Sequence, residues 1–164
     1  SNARSIDLMQ RGADIAIRPT NHAPEHWSGQ ILGEIAFAAY ANLEYWRSEQ
    51  NTEKQDHRWV VLDYDLKKSP MALLTDELKP KPAPFTVVNT ILGVADYISV
   101  APAVAVLPCY LGDSNPKLIR ISNPNTTHCW NLWMLTLPDL RRSARVHTFF
   151  NFMKKRVSDA QQFI

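Results

Sequence analysis

Apolar residues along this chain fall into short runs that alternate with amphipathic segments and polar loops. The runs predict buried strands over residues 13–18, 58–65, 85–89, 103–108, 117–122 and 129–137. Residues 30–42 are mostly apolar with a period near two, which predicts one unusually long strand. The strand around Leu132 is also predicted to be long.

Helical segments separate these strands. The pattern predicts helices over residues 5–11 (closed by Gly12), 43–48, 66–77, 90–100 and from 139 onward. Ser69 and Pro70 favour a helix start, because serine caps a helix and proline fits its first position. The apolar face of the helix over 90–100 holds Ile91, Val94, Ala95 and Ile98. The apolar face of the last helix holds Val146, Phe149, Phe150, Met153 and Val157.

The alternation of strands and helices predicts an α/β fold with a largely parallel sheet. The two long strands, near Ile35 and Leu132, are each expected to cross from one lobe of the fold to another. A two-lobed protein with paired crossover strands has a cleft between its lobes, and clefts bind ligands. The pattern therefore predicts a ligand-binding protein.

Composition narrows the function classes. The chain has 164 residues, 45% of them hydrophobic and 21% charged, as in ordinary globular proteins. A net charge of +2 is too small to indicate a nucleic-acid surface, and no apolar run reaches the length of a membrane span. The chain has only two cysteines, Cys109 and Cys129, and both lie in apolar contexts. We therefore predict no disulfide framework and a reducing, cytoplasmic location. Residues 1–3 resemble an expression-tag remnant.

Arg18, Pro19 and Thr20 end the first predicted strand and are the first candidate site. Ligands of open α/β sheets bind at the carboxyl ends of strands. Arg18 can pair with a carboxylate, and Thr20 can supply a hydroxyl. The alternative is that Arg18 meets a surface carboxylate and Pro19 only ends the strand.

Asn89, Thr90 and Ile91 form the second candidate site, where a strand gives way to a helix. The free N–H groups of a helix start bind anions. Asn89 can equally serve only as the helix cap. Together with Arg18, this segment favours a small carboxylate or another anion as the ligand.

The sequence gives only weak indications of metal binding, thiol chemistry, DNA contact or catalysis. His22 and His26 have helical spacing, but Pro24 lies between them, so neither a metal nor another cofactor is predicted. The thiols are expected to be buried and inert. Arg141, Arg142 and Arg145 are expected on a solvated helix face rather than against DNA. Trp130 and Trp133 are expected to pack in the core. No nucleophile or phosphate-loop pattern occurs, so an enzyme is not predicted.

The segments "ADIAIRPT", "LGEIAFAAYAN", "VADYISVAPAVAVLP" and "LWMLTLPDLRRSARVHTFFNFM" resemble, in order, the effector-sensing domain of LysR-type transcriptional regulators. The resemblance implies a type II periplasmic-binding-protein-like fold of two lobes joined by two crossover strands. Lobe I would be residues 4–37 and 132–164, and lobe II residues 38–131.

The resemblance also implies a function. A small effector would bind in the cleft between the lobes through Arg18, Pro19, Thr20, Asn89, Thr90 and Ile91. A homo-oligomeric cytoplasmic regulator would contact DNA only through a helix-turn-helix domain that lies outside this sequence. The alternative is a periplasmic solute-binding protein of the same fold. The C-terminal segment "PDLRRSARVHTFFNFM" favours the regulator.

The sequence departs from the family at its start, because the first strand-helix-strand unit of lobe I is missing. Its loss is expected to expose a sheet edge, and exposed edges pair with other chains. We therefore expect contacts between copies through lobe I.

Overall fold

The fold is given by a computed structural model, which describes residues 13–22, 25–48, 56–63 and 69–159. Its strands are β1 (Ile15–Pro19), β2 (Ser28–Asn42), β3 (Trp59–Leu62), β4 (Phe85–Val88), β5 (Val104–Pro108), β6 (Leu118–Arg120) and β7 (Asn125–Thr136). Its helices are α1 (Leu43–Ser48), α2 (Pro70–Leu78), α3 (Ile91–Val100), α4 (Cys109–Asp113) and α5 (Ala144–Asp159), with a 3-10 turn over Pro138–Leu140. The predicted helix over 5–11 and its Gly12 cap lie outside the described residues.

The described chain forms two compact units. The first takes the chain up to Glu34 and again from Trp130, and the second is Ile35–Cys129. The division therefore falls inside β2 and inside β7, the two longest strands. The lobe boundaries expected from the sequence, after residues 37 and 131, lie in the same strands and stay a prediction.

In the described part of the first unit, helix α5 covers one end of the sheet. Strand β7 lies between β1 and β2, and β1 runs antiparallel to it with Ile17 opposite Met134. Met134, Val146 and Phe150 form the buried centre, because α5 places the last two on the face that meets the sheet. The partly buried residues packed around them are Ile15, Leu32, Leu140 and Met153.

The predicted apolar face of the last helix is wrong at one position. Phe149 is 38% exposed, whereas Phe150 is 1% exposed. Each residue turns a helix by about 100°, so Phe149 lies on the flank of a face centred on Val146 and Phe150. The helix also begins at Ala144 rather than at Asp139, because the 3-10 turn comes first.

The second unit contains the larger core. Its strand order is β2-β5-β3-β4, with β6 also paired to β2. The residues that are almost completely buried here include Phe37, Tyr40, Val60, Met71, Val94, Ile98, Val104, Val106 and Leu107. Helix α2 begins as the sequence predicts, with Ser69 as the cap that accepts from the Ala72 N–H and Pro70 in the first turn.

The prediction of a largely parallel sheet is wrong. Strand β3 runs parallel to β4 and β5, but β2 runs antiparallel to β5 and β6, and β1 runs antiparallel to β7. Buried parallel and antiparallel strands share the same apolar pattern, so the pattern locates strands without giving their direction. The α/β class itself is confirmed.

A polar cluster around the buried Tyr40 side chain joins β2 to α4, a short helix that the sequence pattern did not predict. The Tyr40 hydroxyl donates to Asp113 Oδ1 at 2.8 Å, and Arg120 Nε lies 3.5 Å from the same oxygen. Cys109 is buried beside them, and its burial raises the pKa of the thiol above the ordinary value. Burial likewise raises the pKa of Tyr40. Both side chains therefore stay neutral in the folded protein near neutral pH.

This cluster predicts a loss of stability in alkali. A thiol whose pKa is raised by folding contributes full stability below its unfolded pKa, and that contribution falls as the pH rises toward the folded pKa. We expect the free energy of unfolding to fall as the pH rises above the ordinary pKa of a thiol, because burial raises the pKa of Cys109 in the folded protein. Urea titrations under reducing conditions measure it. Cys109→Ala should remove most of this fall, whereas the control Cys129→Ala should keep it. An equal fall in the wild type and in both variants would contradict the account.

Candidate functional site

Arg18, Pro19 and Thr20 lie together at the carboxyl end of β1 in the first unit. Thr20 N–H donates to Asn131 O at 2.9 Å, so the residue after β1 is still held to β7. The Thr20 hydroxyl accepts from His22 N–H and lies 3.1 Å from His22 O, which closes a local turn. Pro19 is exposed and ends the strand. The three residues therefore form one compact strand end.

Arg18 is a half-buried cation, and no carboxylate pairs with it in the part of the chain that the structure describes. It lies opposite Trp133 in the β1–β7 register, and residues opposite each other in antiparallel strands share a face of the sheet. The indole Nε1 of Trp133 is buried and has no hydrogen-bond partner. The Arg18 and Trp133 side chains therefore project from the same face of the β1–β7 pair.

Trp133 is the residue that the sequence pattern missed, since its apolar neighbours indicate core packing. Neither periodicity nor composition distinguishes a core tryptophan from one that keeps a free donor. The signal lies in the register, because only the pairing of β1 with β7 brings Trp133 next to Arg18. Buried donors without a partner are rare in native proteins, so this one calls for an explanation.

Asn89, Thr90 and Ile91 lie between β4 and α3 in the second unit. Thr90 caps α3, because its hydroxyl accepts from Gly93 N–H at 3.0 Å. The alternative that Asn89 is only the helix cap is therefore wrong, and its side chain is exposed. A Cβ at position 93 would lie 2.8 Å from Thr90 Oγ1, so glycine permits this close turn.

The start of α3 offers hydrogen-bond donors. Thr90 takes up the N–H of Gly93 and, through its carbonyl, that of Val94. The N–H groups of Ile91 and Leu92 have no acceptor among the described residues. Such free amides at a helix start carry a partial positive charge and attract anions.

The other candidates take up structural roles or stand alone. His22 and His26 are exposed, and the described residues hold no group of three His, Cys, Asp or Glu that could bind a metal. In the basic cluster, the Arg141 guanidinium lies 4.1 Å from the centroid of the Phe150 ring, and Arg145 pairs with Asp14 at 2.9 Å. Within the same described ranges, no helix is both long and apolar enough to span a bilayer.

The described strands and helices define an α/β protein, and comparison with known families gives the particular family. The model of the LysR substrate binding domain matches residues 1–158, so the chain belongs to this family. The resemblance noted in the sequence is confirmed. No curated protein matches the chain.

Solved structures of effector domains share the fold. The effector domain of AmpR from Pseudomonas aeruginosa is 17% identical with a TM-score of 0.70, over 96% of this chain and 78% of that one. The AmpR effector binding domain from Citrobacter freundii is 12% identical with a TM-score of 0.69, over 94% and 80%. The regulatory domain of CrgA from Neisseria meningitidis is 17% identical with a TM-score of 0.66, over 93% and 79%. The type II periplasmic-binding-protein-like fold is thus confirmed.

Proposed function

We propose that this domain binds a small anionic effector and so controls DNA binding by a helix-turn-helix domain of the same regulator. The observation that carries the proposal is the pair of donors in the first unit, the Arg18 guanidinium and the unsatisfied Nε1 of Trp133. Neither donor has a partner in the described chain. A carboxylate or another oxyanion would satisfy both, since a carboxylate accepts through two oxygens.

We propose that the effector is also held by the second unit, through Asn89, Thr90 and Ile91. The free amides of Ile91 and Leu92 at the start of α3 supply hydrogen bonds to an anion, and the exposed amide of Asn89 supplies another. The effector would then lie in the cleft between two lobes, with Arg18, Pro19 and Thr20 on one side. A related fact supports an anion: a regulatory-domain mutant of OxyR2 from Vibrio vulnificus, with a TM-score of 0.60, is sulfate-bound.

Regulation follows from binding that differs between two arrangements of the lobes. An effector shifts the balance of two states only as far as its affinities for them differ. The proposed regulator is a cytoplasmic homo-oligomer, in which the effector domains pass this shift to DNA-binding domains. The solved neighbours named above are regulatory domains, which favours a regulator over a solute-binding protein and over an enzyme.

A thermal-shift screen with small carboxylates and aromatic acids tests the proposal. A ligand at about a hundred times its dissociation constant stabilises the folded state by about 2.7 kcal/mol. We expect Arg18→Ala to abolish the shift given by the best ligand, because the half-buried cation is lost. Arg142→Ala, which removes an exposed arginine, is the matched control and should keep the full shift. A full response from Arg18→Ala would remove the assignment of the site.

A further inference from the structure

A cavity of about 510 Å³ lies in the second unit, between helix α2 and the strands β3 and β4. The strands contribute Val61 and Phe85 to its lining, and the helix and its end contribute Ala72, Asp76 and Lys79. Sites for small molecules typically have volumes of about 300–1,000 Å³. The cavity is therefore large enough to hold a small ligand of its own.

The two strands give the cavity an apolar floor. Trp59 lies opposite Phe85 in the parallel β3–β4 ladder, and Val61 is two residues further along β3. Val61 and Phe85 therefore project from the same face of the sheet, because side chains alternate along a strand. Phe85 is 53% exposed in spite of its aromatic ring. An apolar group of a ligand that covers this ring gains hydrophobic stabilisation.

The helix side of the cavity carries one charge of each sign. Asp76 lies in the last turn of α2, and Lys79 directly follows the helix. Residues three apart lie on the same side of a helix, with a rise of about 4.5 Å between them. Among the described residues, neither the Asp76 carboxylate nor the Lys79 ammonium forms an ion pair. The cavity wall therefore presents an anion and a cation, one helical turn apart, that do not neutralise each other.

The contacts of Lys79 leave it able to bind an anion. Its Nζ lies 5.3 Å from the centroid of the Phe85 ring and 3.4 Å from Pro80 O. An ammonium has three N–H donors, of which the Pro80 carbonyl takes one, so donors remain for a ligand. Asp63 also lines the cavity, but it already takes part in another interaction. Asp76 and Lys79 are therefore the two charged groups that a ligand would meet.

We propose that this cavity binds a free α-amino acid with an apolar side chain. The carboxylate of the ligand accepts from the Lys79 ammonium, and the ammonium of the ligand donates to the Asp76 carboxylate. Both are charge-assisted hydrogen bonds, the stronger kind. The side chain of the ligand covers Phe85 and Val61. An α-amino acid carries its two charges on one carbon atom, so both ion pairs form at once with side chains one helical turn apart.

Charge complementarity favours an amino acid over a simple acid or a simple amine. A carboxylic acid bound to Lys79 brings a second anion beside Asp76, and like charges repel. An amine bound to Asp76 brings a second cation beside Lys79, with the same result. A zwitterion pairs with both side chains and adds no net charge to the cavity.

The cavity is separate from the effector site proposed above. Phe85 is the first residue of β4, whereas Asn89 follows its last residue, so the two are about 13 Å apart along the strand. Arg18 and Trp133 belong to the first unit. Ligand binding in the cavity and effector binding at the strand ends can therefore be measured through different residues.

NMR titration of the whole 164-residue chain with L-leucine, L-isoleucine and L-phenylalanine tests the proposal. We expect at least one of them to shift the backbone amide signals of Asp76, Lys79 and Phe85 together. Asp76→Asn and Lys79→Gln should each raise the dissociation constant at least about tenfold, because each removes a charge-assisted hydrogen bond. No shift of these signals with any of the three amino acids would overturn the proposal.

Asp96→Asn and Lys81→Gln are the matched controls. Both side chains are exposed, and neither residue lines the cavity. Each control removes the same charge as one of the test variants, so the net charge of the protein changes equally. The controls should keep the wild-type dissociation constant. Equal constants in a test variant and its control would contradict the assigned role of Asp76 or Lys79.

Two analogues of the best-binding amino acid identify the partner of each charged group. Its amide lacks the carboxylate, so Lys79→Gln should not weaken the binding of the amide. Its deaminated acid lacks the ammonium, so Asp76→Asn should not weaken the binding of the acid. Weakening of either analogue as large as that of the amino acid itself would overturn the proposed pairing. Shifts of Thr20 and Ile91 in place of Asp76 and Lys79 would mean that the amino acid binds at the effector site, and they would also overturn the proposal. Effector binding is measured separately by the thermal-shift screen.

Discussion

Replacement of Phe150 by alanine will lower the free energy of unfolding by about 3–5 kcal/mol. The ring is 1% exposed and packs with Met134 and Val146 at the centre of the first unit, where the Arg141 guanidinium also covers it. This unit has one covering helix in the described chain, so little else can fill the space that the ring leaves. Urea denaturation followed by circular dichroism measures the loss.

Phe149→Ala is the matched control for this variant. The two residues are neighbours on α5, but Phe149 is 38% exposed and outside the buried cluster. Its replacement should cost less than about 1 kcal/mol, because a partly exposed side chain outside the buried cluster makes few core contacts. Equal losses from the two variants would show that α5 meets the sheet through a different face.

Gly112→Ala will destabilise the second unit by about 3 kcal/mol. A Cβ at this position would lie 2.3 Å from the Tyr40 ring. That ring cannot move aside, because it is completely buried and its hydroxyl is bonded to Asp113. Thermal unfolding of the variant measures the effect.

Ser114→Ala is the control for the glycine variant, because Ser114 caps the same helix at an exposed position. Its replacement should change the stability by no more than about 0.5 kcal/mol. A Gly112→Ala variant as stable as the wild type would mean that Tyr40 and α4 are not in contact as described.

Much of the fold follows from the sequence because apolar spacing reports burial. The long strand ending at Asn42, the helix capped by Ser69 and the helix after Thr90 all appear where the pattern predicts them. The antiparallel direction of β2 and the exposure of Phe149 could not be predicted from the sequence. Both depend on which neighbour each element meets, and spacing along the chain carries no such information. The short helix α4 was missed because five residues cannot display a helical period.

The candidate site followed from the sequence only in part. The rule that strand ends and helix starts bind ligands selected Arg18–Thr20 and Asn89–Ile91. It did not select Trp133, because the buried N–H donor of this residue becomes a candidate only once the β1–β7 register places it opposite Arg18. It also left open whether Asn89 caps the helix, and the geometry gives that role to Thr90.

An NMR titration with the best ligand of the screen tests the central claim most directly. The account predicts that the indole N–H of Trp133 and the backbone amides of Thr20, Ile91 and Leu92 shift together, with a single dissociation constant. Thr20 and Trp133 belong to the first unit, and Ile91 and Leu92 belong to the second. Shifts confined to one of these two pairs, or shifts elsewhere with none in either pair, would contradict an effector held by both units of the domain.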